Sequence, residues 1–200
     1  MKLIRLHLLI FTTFLLYLIA CDNVGKKADQ YSITPKEGTW RGILTIQQKE
    51  VPFNFLLSYT QKGKISITVI NADERIVFDE GTFENNTLTL PMGVYDGQIE
   101  ASVKKLSMEG KLIKNFVDGY EIAFKAYYGE DYRFEKTSEG PATDFTGKFA
   151  VQFKRPDGSY SDAIGVFQQN GSRITGTFLT KTGDYRYLEG SVHGNRFEMS

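Results

Sequence analysis

Residues 64–71, Lys-Ile-Ser-Ile-Thr-Val-Ile-Asn, have a clear strand pattern. Ile65, Ile67 and Val69 alternate with hydroxyl side chains, so one side of an extended chain is apolar and the other is polar. β-Branched residues dominate the run, and Gly63 and Asn71 bound it with residues typical of turns. The stretch predicts an antiparallel strand with one buried face and one wet face.

The same pattern continues on both sides of this stretch. Pairs such as Asp157-Gly158 and Asn170-Gly171 separate the apolar runs and favour tight hairpin turns. No sustained helical period occurs after residue 22, so the sequence predicts an all-β fold of antiparallel meander sheets or barrel-like units. The predicted strands lie at residues 39–47, 51–59, 64–71, 75–79, 87–90, 99–104, 107–113, 120–127, 147–154, 163–168, 173–179, 185–189 and 196–199.

An internal repeat divides the β region into two copies, residues 38–143 and residues 144–200. Residue i resembles residue i+109 at both ends of the alignment, which two copies of one meander would explain. The matches are Gly38 with Gly147, Trp40 with Phe149, Ile65 with Ile174, Thr68 with Thr177, Glu80-Gly81 with Glu189-Gly190, Asn86 with Asn195, Leu88 with Phe197 and Leu90 with Met199. The alternative is chance similarity between β-rich sequences. We expect the second copy to be incomplete, because it has no counterpart of residues 93–140.

The N-terminus has the layout of an export signal. Lys2 and Arg5 precede an apolar run over residues 8–20, which is short for a membrane span of about 20 residues. Residues 18–21, Leu-Ile-Ala-Cys, resemble a bacterial lipobox. We expect residues 1–20 to be a helical lipoprotein signal peptide and Cys21 to carry the lipid; the alternative is an uncleaved signal anchor.

Composition limits the partners of the exported part. Cys21 is the only cysteine, so residues 22–200 contain no disulfide, CxxC pair or thiolate metal site. Removal of residues 1–20 changes 24 basic and 24 acidic residues to 22 and 24, which argues against a nucleic-acid partner. Residues 21–37 are mostly polar and read as a flexible tether. The expected location is outside the cytoplasm, lipid-anchored to a bacterial membrane, with inner and outer membrane both open.

A polar cluster is the nearest feature to a site. It comprises Asp184, Tyr185, Arg186 and Glu189, with Asn71, Glu74 and Arg75 in the first copy. Carboxylate, guanidinium and phenol groups suit a polar ligand or peptide, whereas a structural Arg–carboxylate pair at a strand junction is the alternative. We read His193 as a solvated turn residue. The sequence predicts no catalytic residue, no metal site and no cofactor.

Several runs resemble the N-terminal region of exported TlpA-type (AhpC/TSA, redoxin-like) thiol-disulfide lipoproteins. The runs are residues 38–42 (Gly-Thr-Trp-Arg-Gly), 51–55, 70–76, 164–167, 175–180 and 182–190 (Thr-Gly-Asp-Tyr-Arg-Tyr-Leu-Glu-Gly). The resemblance implies an accessory β region that accompanies a thioredoxin-fold domain with a CxxC motif. Residues 22–200 contain no such motif, so no catalytic residue carries over.

Two functions therefore remain open. The first is an accessory or docking domain of a membrane-tethered thiol-disulfide oxidoreductase, not itself catalytic, with a thioredoxin-fold domain or redox partner and with the membrane as its other partner through Cys21. The second is a free-standing, lipocalin-like β-barrel that binds a ligand in its interior.

Overall fold

The computed structural model describes residues 33–134 and 138–200. The expected signal helix of residues 1–20 and Cys21 lie outside the described residues. Residues 33–37, which the sequence assigns to the tether, pack against the following β structure. Pro35 is buried and its carbonyl accepts a 2.7 Å hydrogen bond from the hydroxyl of Tyr59, while Lys36 O accepts one of 2.9 Å from the indole of Trp40.

The fold is all-β, as the sequence predicts. Eight antiparallel strands form a closed barrel in sequence order, because β1 pairs with β2 on one side and with β8 on the other. A short 3-10 turn, Gly93–Tyr95, separates β5 from β6. The barrel strands are β1 (Gly38–Ile46), β2 (Lys49–Tyr59), β3 (Ile65–Asn71), β4 (Glu74–Glu84), β5 (Thr87–Met92), β6 (Gly97–Val103), β7 (Ser107–Lys114) and β8 (Glu121–Tyr128).

Side chains fill the barrel. Trp40, Phe55, Leu57, Ile65 and Leu88 are at most 1% exposed and belong to one continuous apolar cluster. Their alternation along each strand follows from the two-residue period of β structure, which turns every second side chain inward. An eight-stranded barrel is just wide enough for such side chains to occupy its interior.

The remaining strands form a second, curled sheet that resembles half of a barrel. Its order is β14–β13–β11–β10–β9, with the short β12 paired to β11, so β9 and β14 are its edge strands. The strands are β9 (Gly147–Lys154), β10 (Tyr160–Asn170), β11 (Arg173–Thr180), β12 (Gly183–Asp184), β13 (Leu188–His193) and β14 (Arg196–Met199).

The offset of 109 residues maps strand pairs of the barrel onto strand pairs of the second sheet. The cross-strand partners Ile65–Gly81 and Phe83–Leu88 correspond to Ile174–Gly190 and Val192–Phe197. By this offset, β1 to β5 correspond to β9, β10, β11, β13 and β14. The two copies therefore share one antiparallel meander.

The prediction of a strand over residues 185–189 is wrong for residues 185–187, which lie between two strands. The structure instead has β12 before it and β13 over Leu188–His193. Arg186 adopts a left-handed φ of 56°, which ends extended structure, and its backbone N–H donates a 3.0 Å hydrogen bond to Asp184 Oδ1. This local turn replaces the first part of the predicted strand. The strand β13 then runs to His193, so His193 is the last residue of a strand.

Candidate functional site

The predicted polar residues lie mainly where the barrel meets the second sheet, which we call the junction. The barrel contributes the turn between β3 and β4, and the sheet contributes the segment from β12 to β13. Glu189 joins the two parts. Its Oε2 accepts a 2.9 Å hydrogen bond from the backbone N–H of Ala72, and its Oε1 lies 2.8 Å from Nε of Arg173.

A second ion pair crosses the junction. Arg186 Nη2 lies 2.6 Å from Glu74 Oε1, and the Glu74 side chain is only 13% exposed. Asn71 adds a hydrogen bond from its side-chain N–H to the carbonyl of Tyr187. Arg75 does not cross the junction but holds the turn, because its guanidinium donates to the carbonyls of Ala72 and Glu74 at 2.9 and 2.7 Å.

Arg133 completes the junction, and sequence reasoning missed it. The residue is 7% exposed, and its guanidinium donates to Asn71 Oδ1 at 2.9 Å, to Ser200 O at 2.8 Å and to Ile70 O at 2.6 Å. These acceptors belong to both parts of the fold. Burial lowers the pKa of Arg133 from its ordinary value, although the charge of Glu189 acts in the opposite direction.

Contacts with neighbouring groups offset the cost of burying the Glu189 charge at the junction. Burial acts to raise the pKa of Glu189, but the hydrogen bond and charge of Arg173, the charge of Arg133 and the Ala72 N–H outweigh it, so the pKa lies below its ordinary value. A carboxylate that already has these partners has little capacity left for a ligand. The contacts of Glu189, Glu74 and Asn71 therefore indicate a structural role at the strand junction.

Two members of the predicted cluster also border an open cleft. It has a volume of about 780 Å³, with Ala72 and Asp73 on the barrel side and strands β9 to β11 of the sheet on the other. Asp184 and Arg186 line it together with Lys148, so its charges are mixed. The cleft has no single charge sign that would select a class of ligand.

Tyr185 departs from the polar cluster. Its ring lies 5.6 Å from that of Phe153 and 6.0 Å from that of Phe178, on the concave side of the second sheet. These rings belong to a larger apolar surface, which we call the aromatic face. Its members are Phe145, Phe149, Phe153, Phe167, Phe178, Tyr185 and Phe197, linked by ring-centroid distances of 4.9 to 6.5 Å.

The aromatic face is the open counterpart of the barrel interior. Trp40 and Phe149 occupy equivalent positions of the repeat, yet Trp40 is 0% exposed and Phe149 is 38% exposed. Leu88 is 0% exposed, whereas the equivalent Phe197 is only half-buried. In the barrel β6 to β8 cover these positions, whereas in the described second sheet β9 has only β10 as a neighbour.

Residues 33–134 and 138–200 contain no candidate metal-binding cluster. No group of three or more His, Cys, Asp or Glu residues in this part of the chain is arranged to hold a metal ion.

His193 ends β13 opposite Arg196 and is half-buried, so it is not the solvated turn residue that the sequence suggests. Within residues 33–134 and 138–200, no helix could span a membrane.

The fold and its surfaces thus define an all-β protein in which a filled eight-stranded barrel is joined to a half-open sheet with an aromatic concave face. Comparisons of the chain with family models, with curated proteins and with solved structures find no match.

Proposed function

We propose that residues 38–200 are the non-catalytic docking region of a lipid-anchored extracytoplasmic protein, and that the docked partner is a thioredoxin-fold domain with a CxxC motif. The observation that carries the proposal is the aromatic face, where Phe149 is 38% and Tyr185 is 53% exposed. Contiguous exposed apolar surface in a folded protein marks interaction sites. The resemblance to TlpA-type lipoproteins supplies the class of partner, and the lipobox at Cys21 supplies the membrane anchor.

The filled interior of the barrel favours a docking function over the storage of a ligand. A lipocalin-like function needs an interior with room for a ligand, whereas Trp40, Phe55 and Leu90 lie at the centre of a buried apolar cluster in this barrel. The junction residues do not offer a ligand site either, because Glu189 and Arg133 already bind groups of the protein itself. The aromatic face is an apolar surface that these internal contacts leave open.

Site-specific photo-crosslinking in cells tests the proposal. Benzoylphenylalanine replaces Phe149 in the full-length, membrane-anchored protein, and cross-linked partners are identified by mass spectrometry. The matched control carries the same probe at Ile164, which is 49% exposed and lies on β10 with its side chain on the opposite face from the aromatic face. We expect a thioredoxin-fold protein with a CxxC motif to cross-link at position 149 and not at position 164.

Two results would refute the proposal. One is the absence of any thioredoxin-fold partner at position 149 while the protein is folded and membrane-bound. The other is equal cross-linking of such a partner at positions 149 and 164, because contact through both faces would show random encounter and not docking on the aromatic face.

A further inference from the structure

Strand β9 has a free edge that the rest of the described fold leaves accessible. It is eight residues long, and Lys148, Phe149 and Ala150 are exposed in succession. The opposite edge, β14, is only four residues long. The residue after it, Ser200, is tied to the barrel, because its carbonyl accepts a 2.8 Å hydrogen bond from Arg133. Both β9 and β14 are outermost strands of the described sheet, and β9 is the longer of the two.

The internal repeat shows how such an edge is completed. By the offset of 109, β9 corresponds to β1, and β1 pairs antiparallel with β8 in the barrel. Trp40 lies opposite Tyr128 there, and Leu44 lies opposite Phe124. The inward side chains of β8 therefore cover the positions of β1 that correspond to Phe149 and to Phe153.

We propose that β9 binds an extended strand of the partner, antiparallel to it, and so completes the sheet by strand addition. This inference rests on the proposed docking function and names its mode. The partner strand carries apolar residues opposite Phe149, Val151 and Phe153, which point to the aromatic face. It carries acidic residues opposite Lys148 and Lys154, which lie on the other face of β9.

Both backbone and side-chain contacts would stabilise a strand added to β9. Unpaired N–H and C=O groups along a strand edge give affinity through main-chain hydrogen bonds, and alternate side chains give specificity. Burial of apolar surface on the aromatic face adds about 25 cal/mol for each Å² removed from water. The partner strand would thus gain from both its backbone and its inward side chains.

Charge argues for a different partner and against a second copy of this chain. Antiparallel pairing of two β9 strands about Val151 would place Lys148 of each copy opposite Lys154 of the other. Like charges directly opposite each other destabilise a strand pair. A strand with acidic residues at both positions converts the same two lysines into favourable cross-strand partners.

Peptide binding to the full-length protein in detergent micelles tests the mode. The probe is a fluorescent heptapeptide, Glu-Phe-Thr-Ala-Thr-Tyr-Glu, which keeps the inward Phe-Ala-Tyr pattern of β8 and adds an acid opposite each lysine. A peptide of the same composition without the alternation is the control. We expect saturable binding of the first peptide only, and the double variant Lys148→Glu, Lys154→Glu should weaken it about tenfold or more.

Reversal of the two charges should also reverse the peptide preference. A peptide with lysine at both ends should bind the double variant better than the natural protein. Equal binding of patterned and scrambled peptides, or no effect of charge reversal, would overturn strand addition at β9. Concentration-dependent self-association through β9 without peptide binding would overturn it in favour of a second copy. Peptide binding without a thioredoxin-fold partner at Phe149 would instead refute the proposed partner class.

Discussion

Replacement of Arg133 by methionine should weaken the connection between the barrel and the second sheet. Methionine keeps much of the apolar length of arginine but cannot donate hydrogen bonds. The guanidinium of Arg133 reaches Ile70 O in the barrel at 2.6 Å and Ser200 O after β14 at 2.8 Å. Its removal leaves both carbonyls in the junction without this donor.

The expected loss follows from these contacts. A hydrogen bond from a charged donor contributes about 1.5–3 kcal/mol, and Arg133 also bonds Asn71 Oδ1 at 2.9 Å. The variant regains part of this loss, because burial of the charged guanidinium is itself unfavourable. We therefore expect Arg133→Met to reduce the free energy of unfolding by about 3 kcal/mol, a large part of a domain's usual 5–15 kcal/mol.

Urea unfolding of soluble residues 22–200 measures this loss. The single tryptophan, Trp40, reports on the barrel interior, and limited proteolysis reports on the second sheet. Arg155→Met is the control, since Arg155 is exposed in the turn after β9, and it should change stability by no more than about 0.5 kcal/mol. If Arg133→Met unfolds with the same midpoint as the natural protein and its second sheet resists proteolysis equally, the guanidinium does not hold the junction.

Three further predictions concern other parts of the chain. Gly190→Ala should unfold at a clearly lower temperature, because a Cβ there would clash with the backbone carbonyl of Glu198, whereas Gly93→Ala, with open space around it, should not; equal melting temperatures would contradict this. Cys21→Ser should abolish metabolic palmitate labelling and release the protein from membranes, and labelling that persists would disprove lipidation at Cys21. Glu189 has a lowered pKa in the fold, so its stabilisation is present above its unfolded pKa, near 4.5, and is lost as the pH falls through the folded value. Glu189→Gln should therefore lose less stability than the natural protein between about pH 5 and pH 3 in urea titrations, and parallel pH profiles would argue against this role.

Local signals in the sequence predict most of the strands. The alternation of Ile65, Ile67 and Val69 specifies which face of β3 is buried, and all three side chains point into the barrel. The prediction over residues 185–189 failed because Arg186 takes a left-handed turn that β-like composition does not reveal. Tyr185 and Tyr187 are residue types that favour strands, and they do not reveal the turn that Asp184 stabilises between them.

The candidate site was predictable only in part. The sequence grouped Glu74 and Glu189 in one candidate cluster, and both carboxylates contact groups across the junction. Arg133 could not be found in this way, because its partners Asn71 and Ser200 are 62 and 67 residues distant in sequence. Tyr185 lies next to Asp184 in sequence, yet its ring joins the aromatic face, whereas Asp184 borders the open cleft.

Amide hydrogen exchange along β9 measures whether this strand is the docking edge. In the free, full-length protein, we expect the outward amides of residues 148–154 to exchange much faster than those of residues 39–45 in β1, whose edge is paired with β8. Addition of the thioredoxin-fold partner should protect residues 148–154 and leave β4 unchanged. Protection of β9 in the free protein to the level of β1, or partner-dependent protection confined to the outer surface of the barrel, would contradict docking by strand addition.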